Sequence, residues 1–506
     1  MKNKFIYLAI LAAGLTACDP EFENPISNES YSAGDADFSS YVAVGNSLTA
    51  GFMDGTVSRV SQMYSFPNIL AQQFAVVGGG EFTQPSYAED VNNLGGLVLN
   101  GQPLIVNGEN QFPTRLIINA AAGGPESIAG TASTEINSGQ RMAYNNMGVP
   151  GAKSFHLLAP GYGNIQGVAV GAANPYYVRH ATSSTSRVIE DAMMKNPTFF
   201  TNWIGNNDVL SYAISGGTGV SQEGNTNPAT YGSNDITDSN VFAGAYNEIT
   251  NALTSGGAKG VVATIPNVTS IPYFTTVPYN PVPLDEATAG AVNQGYAPYN
   301  AGLQAARQTG LISQDEAARR TVTFTAGAGN AVVIEDETLT NLSALGLPNY
   351  RQATSSDLIV LPAMSFIGTP VNGNPAMING VTVPLADRWV LIPSEISLIN
   401  TATANFNNTI KAIAASKGLA VADMNAILSQ LVSGLRVEDG QVYTANYFST
   451  STLSTVLFSL DGIHPNARGY AVIANEVIKV INRHYNAKLP LVSAGNYPGA
   501  TVLPSN

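Results

Sequence analysis

Tyr41-Val42-Ala43-Val44-Gly45-Asn46-Ser47-Leu48-Thr49-Ala50-Gly51 runs from a short apolar segment through a Gly-Asn turn into residues that can open a helix. The same unit recurs down the chain. Thr198-Phe199-Phe200-Thr201-Asn202-Trp203-Ile204 is a second apolar run, preceded by a helical pattern around Val188, Ile189, Ala192 and Met193. Phe242, Tyr246, Ile249 and Leu253 recur on one helix face, and the strand-like Gly260-Val261-Val262-Ala263-Thr264-Ile265 follows them. Phe406, Ile410 and Ile413 mark another helix before Leu419-Ala420-Val421-Ala422-Asp423-Met424. In the last helix Tyr470, Ile473, Ala474, Val477, Ile478 and Ile481 form a continuous apolar stripe that needs a sheet to lie on. Strands alternating with amphipathic helices predict an α/β fold with a parallel central sheet.

Stretches at about 76–140, 156–185, 213–238 and 275–400 break the alternation and read as insertions. Asn119 to Gly139 is Gly/Ala/Ser-rich and reads as irregular loop. The stretch 275–400 is long enough for a lid or small subdomain, with strand-like Val332-Val333-Ile334 and Trp389-Val390-Leu391-Ile392. Long insertions at strand ends commonly build substrate pockets. The predicted organisation is therefore one domain over 38–485 with insertions, followed by a tail over 486–506.

Composition narrows the function. The chain has 506 residues, a formal charge of −13 and only 11% charged residues, against roughly 25% in an average soluble domain. No Lys/Arg stripe is present to displace counterions from phosphates, so nucleic acid is not an expected partner. An apolar content of 44% is ample for a core and excludes global disorder. One cysteine excludes an internal disulfide and a Cys-based zinc cluster, and the four histidines show no paired-ligand spacing. No metal and no cofactor are expected.

Lys2 and Lys4 precede the apolar run Phe5 to Ala13, a charged n-region followed by an h-region. It is shorter than the ~20 residues that span a bilayer, so residues 1–17 read as an export signal. Leu15-Thr16-Ala17-Cys18 resembles the lipobox of bacterial lipoproteins, which implies cleavage before Cys18 and its acylation. Residues 18–37, polar and Pro-containing, then read as a tether. More than one acyl chain gives stable attachment, so a membrane anchor through Cys18 is expected. Asp19 and Glu21 favour the outer membrane of the cell envelope.

Any Ser-His chemistry must choose among His156, His180, His464 and His484. His484 trails the last helix and reads as solvated; His156 and His180 have no acidic neighbour placed to orient them and read as structural. His464 lies in Asp461-Gly462-Ile463-His464-Pro465-Asn466, where a carboxylate three residues ahead across a Gly turn can fix the imidazole tautomer and stabilise its protonated form. Ser47 has two compatible readings, helix N-cap and nucleophile exposed at a strand-to-helix turn, with backbone N–H groups nearby for an oxyanion.

Gly45-Asn46-Ser47-Leu48-Thr49-Ala50-Gly51, Asn146-Met147-Gly148-Val149-Pro150-Gly151-Ala152, Gly205-Asn206-Asn207-Asp208 and Asp461-Gly462-Ile463-His464-Pro465 resemble, in order, the four sequence blocks of the SGNH, or GDSL, hydrolases. Each block falls at the C-terminal end of a predicted strand, and together they cover well under half of the chain. The resemblance implies a flavodoxin-like three-layer αβα sandwich. It implies Ser47 as nucleophile, His464 as general base and then acid, and Asp461 as orienting acid. It implies an oxyanion hole from the N–H groups of Ser47 and Gly151 and the side chain of Asn207, with Gly148 supporting the turn. Two positions depart from the family pattern: Asn46 stands where Asp is usual, removing a charge beside the serine, and Asn206 stands where a Gly is frequent, so that it could crowd the acyl site. The expected activity is an esterase or lipase acting on acyl esters. The rivals are a non-catalytic surface lipoprotein that binds glycan or lipid and, among enzymes, a carbohydrate acetylesterase.

Overall fold

The computed structural model describes residues 30–119, 124–438, 440–449, 451–500 and 502–503; the export signal, the lipobox and Cys18 lie outside them. Five of the apolar runs pair in parallel: β1 Tyr41–Gly45, β2 Asn146–Gly148, β3 Phe199–Trp203, β4 Lys259–Ala263 and β5 Ala420–Ala422. Their order across the sheet is β5-β4-β3-β1-β2, and every neighbouring pair is parallel. β1 and β3 are buried along their whole length. This is why β1 reads as a continuous apolar run and not as an alternating one, while β3 buries the polar Thr201 and Asn202 within its apolar run.

The helices used below are α1 Ser47–Ala50, α2 Phe66–Ala75, α3 Val188–Met193, α4 Asn207–Ile214, α5 Ser239–Thr254, α6 Glu286–Gln308, α7 Pro393–Lys417, α8 Met424–Ser433 and α9 Ala467–His484. From β1 the chain steps outward to β2, then crosses back to β3, β4 and β5. Right-handed crossovers in opposite directions put their helices on opposite faces. The contacts follow that rule: α9 packs on α2, while α7 packs on α4 and α5, and α3 on α5. The protein is thus an α/β fold with a five-stranded parallel central sheet, compatible with a three-layer sandwich. The sheet reverses direction between β1 and β3, and at such a switch point ligands bind beyond the carboxyl ends of the strands. The last helix behaves as its stripe requires: Tyr470, Ala474, Val477, Ile478 and Ile481 are buried, and Asn466 caps it by accepting the Gly469 N–H at 2.9 Å.

The insertions differ from expectation in several places. Gly124–Ser127, inside the stretch read as irregular, pairs antiparallel with Leu116–Asn119, because backbone pairing to a neighbouring strand does not need large side chains. The tail does not hang free: Val502–Leu503 adds to the same small sheet in parallel, and Ser32 bridges Lys488. The last insertion ends earlier than 400, since α7 begins at Pro393, its first turns already packing Ile396 and Ile399 on the core. Between them, Val333–Glu335 pairs with Tyr350–Gln352, and Val390–Leu391 with Leu358–Ile359. Arg351 lies among Asp336 and Asp357, bonded to both. Apolar residues of this insertion, among them Val292, Leu303, Val333 and Val390, belong to the same buried cluster as the sheet core.

Candidate active site

Ser47 is the first residue of α1, two positions beyond the end of β1. The cap of that helix is Asn46, not Ser47: the Asn46 side chain accepts the Leu48 N–H at 3.1 Å. The serine hydroxyl is therefore released from capping. Its Oγ lies 2.8 Å from His464 Nε2, and His464 Nδ1 lies 2.9 Å from Asp461 Oδ2. These three residues, 417 positions apart at the extremes, form one continuous relay. The fourth block does not follow a strand of the central sheet; it sits in the loop between α8 and α9, held by a bridge between Phe458 and Pro465.

Asp461 is oriented by five donors. Oδ1 accepts the N–H groups of Ile463 at 2.9 Å and His464 at 2.8 Å and the Ser459 hydroxyl at 3.0 Å; Oδ2 accepts His464 Nδ1 and the Gly55 N–H at 3.1 Å. Burial alone would raise its pKa, but the His464 ring and the surrounding N–H groups outweigh burial and hold the carboxyl below its ordinary value. The acid is thus kept ionised, as an orienting group must be.

Residues not singled out from the sequence complete the support. Asp54, buried and with φ +56°, accepts the Leu460 N–H at 2.9 Å, and the Ser459 hydroxyl accepts the Asp54 N–H at 3.0 Å. The segment just after α1 is thereby laced to the Asp461 loop. Burial pushes the Asp54 carboxyl up to about 7, Asp461's charge adding to it and the Leu460 N–H and Arg115 opposing it. Nothing local signals this residue, since its partner is 406 positions away. The Phe52 ring lies 4.5 Å from the His464 ring, and Tyr176 packs on both Phe52 and Phe112. Phe52, beside the imidazole, is thereby backed by aromatic rings from the insertions at 76–140 and 156–185.

The oxyanion candidates follow three adjacent strands. Gly45, Gly148 and Trp203 are level in the sheet, so Ser47, Gly151 and Asn207 rise from neighbouring strand ends. Gly151 has φ +80°, a conformation that strains any other residue. Asn207 Nδ2 donates to the Ala152 carbonyl at 2.9 Å, which leaves its second amide hydrogen without an acceptor among the described residues. Asp208, fully buried beside it, accepts both the N–H and the hydroxyl of Ser154 at 2.8 Å. The turn after β2 is thus bolted to the start of α4. Gly148 presses against α1, where a Cβ would meet Ala50 N at 2.3 Å. Asn146 ties the same helix to β2, donating to the Thr49 carbonyl at 3.0 Å. Asn206 is only 4% exposed, and neither polar atom of its side chain has a partner among the described residues.

The other histidines take structural places. His156 stacks on Tyr162 and accepts the Lys153 N–H at 3.1 Å; burial, with Lys153's charge, pulls it down to about 4. His180 packs edge-on against Tyr144 and Tyr177 and is pulled down to about 3 by burial and Arg179. His484 is exposed, its Nε2 bonded to the Gly418 carbonyl at 3.1 Å. Among the described residues one acidic group could hold a cation: Glu337, Asp387 and Glu395 bring carboxylate oxygens within 4.8 Å of one another. Burial first, and then the neighbouring acids, push Glu395 up to about 8, which relieves the like-charge repulsion by protonation. Among the described residues no helix is long and apolar enough to cross a membrane.

No protein-family model matches the chain, and neither curated proteins nor solved structures contain a match to it.

Proposed function

We propose that this protein is a serine ester hydrolase of the SGNH type, carried on the cell envelope by an acylated Cys18. The observation that supports the reading best is the Ser47-His464-Asp461 relay, with contacts of 2.8 and 2.9 Å. In the proposed reaction His464 Nε2 takes the proton as Ser47 Oγ bonds to the ester carbonyl carbon. The carbonyl oxygen becomes an oxyanion that the N–H groups of Ser47 and Gly151 and the Asn207 amide stabilise. Collapse breaks the bond to the alkoxy group, which leaves with the proton from His464, and the acyl group stays on Ser47. Water then attacks with His464 as base, and the acid is released as Ser47 regains its proton. Asp461 remains ionised throughout and stabilises the transient imidazolium.

A non-catalytic binding lipoprotein needs neither a free serine hydroxyl nor an oriented imidazole, and the relay supplies both. The test is hydrolysis of p-nitrophenyl esters by the wild type and Ser47→Ala, with labelling by a fluorophosphonate probe. Turnover and labelling in the wild type alone support the proposal; equal rates, or no labelling of wild type, sink it.

A further inference from the structure

We infer that the apolar cavity under Leu48 receives the acyl chain, and that the substrates are esters of unbranched aliphatic acids longer than acetate. This rests on the ester-hydrolase reading above and names the substrate class for it. The cavity has a volume of about 110 Å³. Part of its wall comes from residues that adjoin the reacting groups in sequence: Leu48 follows Ser47, and Ile463 and Pro465 bracket His464. The opposite wall is Leu428 on α8 and Val472 on α9. Leu48 and Ile463 beside the relay are half-buried, as are Ile427 and Ile473 across the cavity, while Leu428 and Val472 are buried, so the cavity is partly open and one of its open margins adjoins the relay. The Asn46 side chain, holding the Leu48 N–H, fixes this wall in register with the nucleophile.

The lining decides the chemistry. Every lining side chain is apolar, apart from Gly469, which has none. The one nitrogen-bearing ring, Trp203, spends its N–H on the Thr264 carbonyl at 3.2 Å. A sugar or glycerol portion placed there would lose its water and gain no hydrogen bond, so the cavity selects against the carbohydrate side of an ester. Apolar wall left facing water is unfavourable, and covering it with methylenes removes that surface from water. The volume is below the ~150 Å³ of a cavity that accepts a benzene ring, which favours a straight chain over an aromatic acyl group.

The experiment is a chain-length series of p-nitrophenyl esters, acetyl to octanoyl, with the wild type, Leu428→Trp to fill the cavity and Leu428→Ala to enlarge it. Two further methylenes buried at the usual transfer free energy raise kcat/KM for butyryl over acetyl by about tenfold in the wild type. Leu428→Trp brings that ratio down to about one, and Leu428→Ala moves the best chain to a longer one. If Leu428→Trp does not fold, the Leu428→Ala shift decides alone. A wild-type ratio at or below one, or chain-length profiles unchanged by the variants that fold, overturns the pocket while leaving the ester hydrolase standing. No Ser47-dependent hydrolysis of any ester overturns the hydrolase reading itself.

Discussion

Asp461→Asn tests the relay more sharply than removal of the serine, because it keeps size and shape and changes only which atoms donate. Oδ1 of Asp461 faces three donors and Oδ2 faces two. An amide has one oxygen, and the three-donor side claims it. The NH₂ group is then forced toward Gly55 N–H and His464 Nδ1. His464 can meet it only by leaving Nδ1 unprotonated, which places its proton on Nε2 and turns that nitrogen from an acceptor of the Ser47 proton into a donor. A wrong tautomer in such a relay costs on the order of 10⁴ in kcat, about 5.5 kcal/mol of barrier at 1.36 kcal/mol per decade. The Gly55 N–H, facing another donor, adds about 1–3 kcal/mol of lost stability. The assay is kcat and KM for p-nitrophenyl butyrate at neutral pH, with thermal unfolding and circular dichroism to confirm the fold. A folded Asp461→Asn variant retaining kcat within tenfold of wild type, beside an inert Ser47→Ala, would refute the reasoning.

Three further outcomes follow from particular contacts. Asn207→Ala removes one oxyanion donor and lowers kcat by about 10²–10³ with little change in KM; a change confined to KM would assign Asn207 to ground-state binding instead. Gly148→Ala drives a methyl into the Ala50 and Thr49 backbone and costs about 1–3 kcal/mol as overpacking does, so both the melting temperature and Ser47 labelling by the probe fall; unchanged labelling counts against the tight contact. Glu395 keeps its proton in the fold up to about pH 8, whereas its ordinary pKa is 4.5. Between those values the unfolded chain releases a proton that the fold retains, so stability declines as pH rises through this window. Glu395→Gln flattens the decline, as read by melting temperature against pH, and identical slopes in both proteins contradict the assignment.

Much of the fold was legible in the sequence because the elements that form it are buried on both sides or on one continuous stripe. β1 and the Val261–Ala263 part of β4 appear as apolar runs for that reason, β3 as a run broken only by buried Thr201 and Asn202, and α9 as a stripe that begins at a capped turn. What local pattern could not carry was anything made by backbone pairing alone, such as Gly124–Ser127 and the return of Val502–Leu503 to Leu116–Asn119. The start of α7 was equally illegible, although Ile396 and Ile399 stand at helical spacing ahead of Phe406, because the polar Asn400 to Asn405 stretch separates them from the later stripe.

For the site, the sequence by itself determined which residues have suitable chemistry: a serine at a strand-to-helix turn, and an acid three residues ahead of a histidine before a strong helix. That part is local, because tautomer control across one turn needs only short-range geometry. Only the tertiary structure decided that Asn46 rather than Ser47 caps α1, and that His464 reaches Ser47 from the far end of the chain. It also decided that Asp54 holds the acid's loop and that an apolar cavity lies beneath Leu48. The Asn46 cap is a short-range contact whose choice over Ser47 only the backbone conformation at the turn settles; the others depend on the strand order β2-β1-β3, which brings three strand ends side by side, and on α9 packing against α2. These long-range contacts are sums of burial over residues hundreds of positions apart, and no window of sequence contains them.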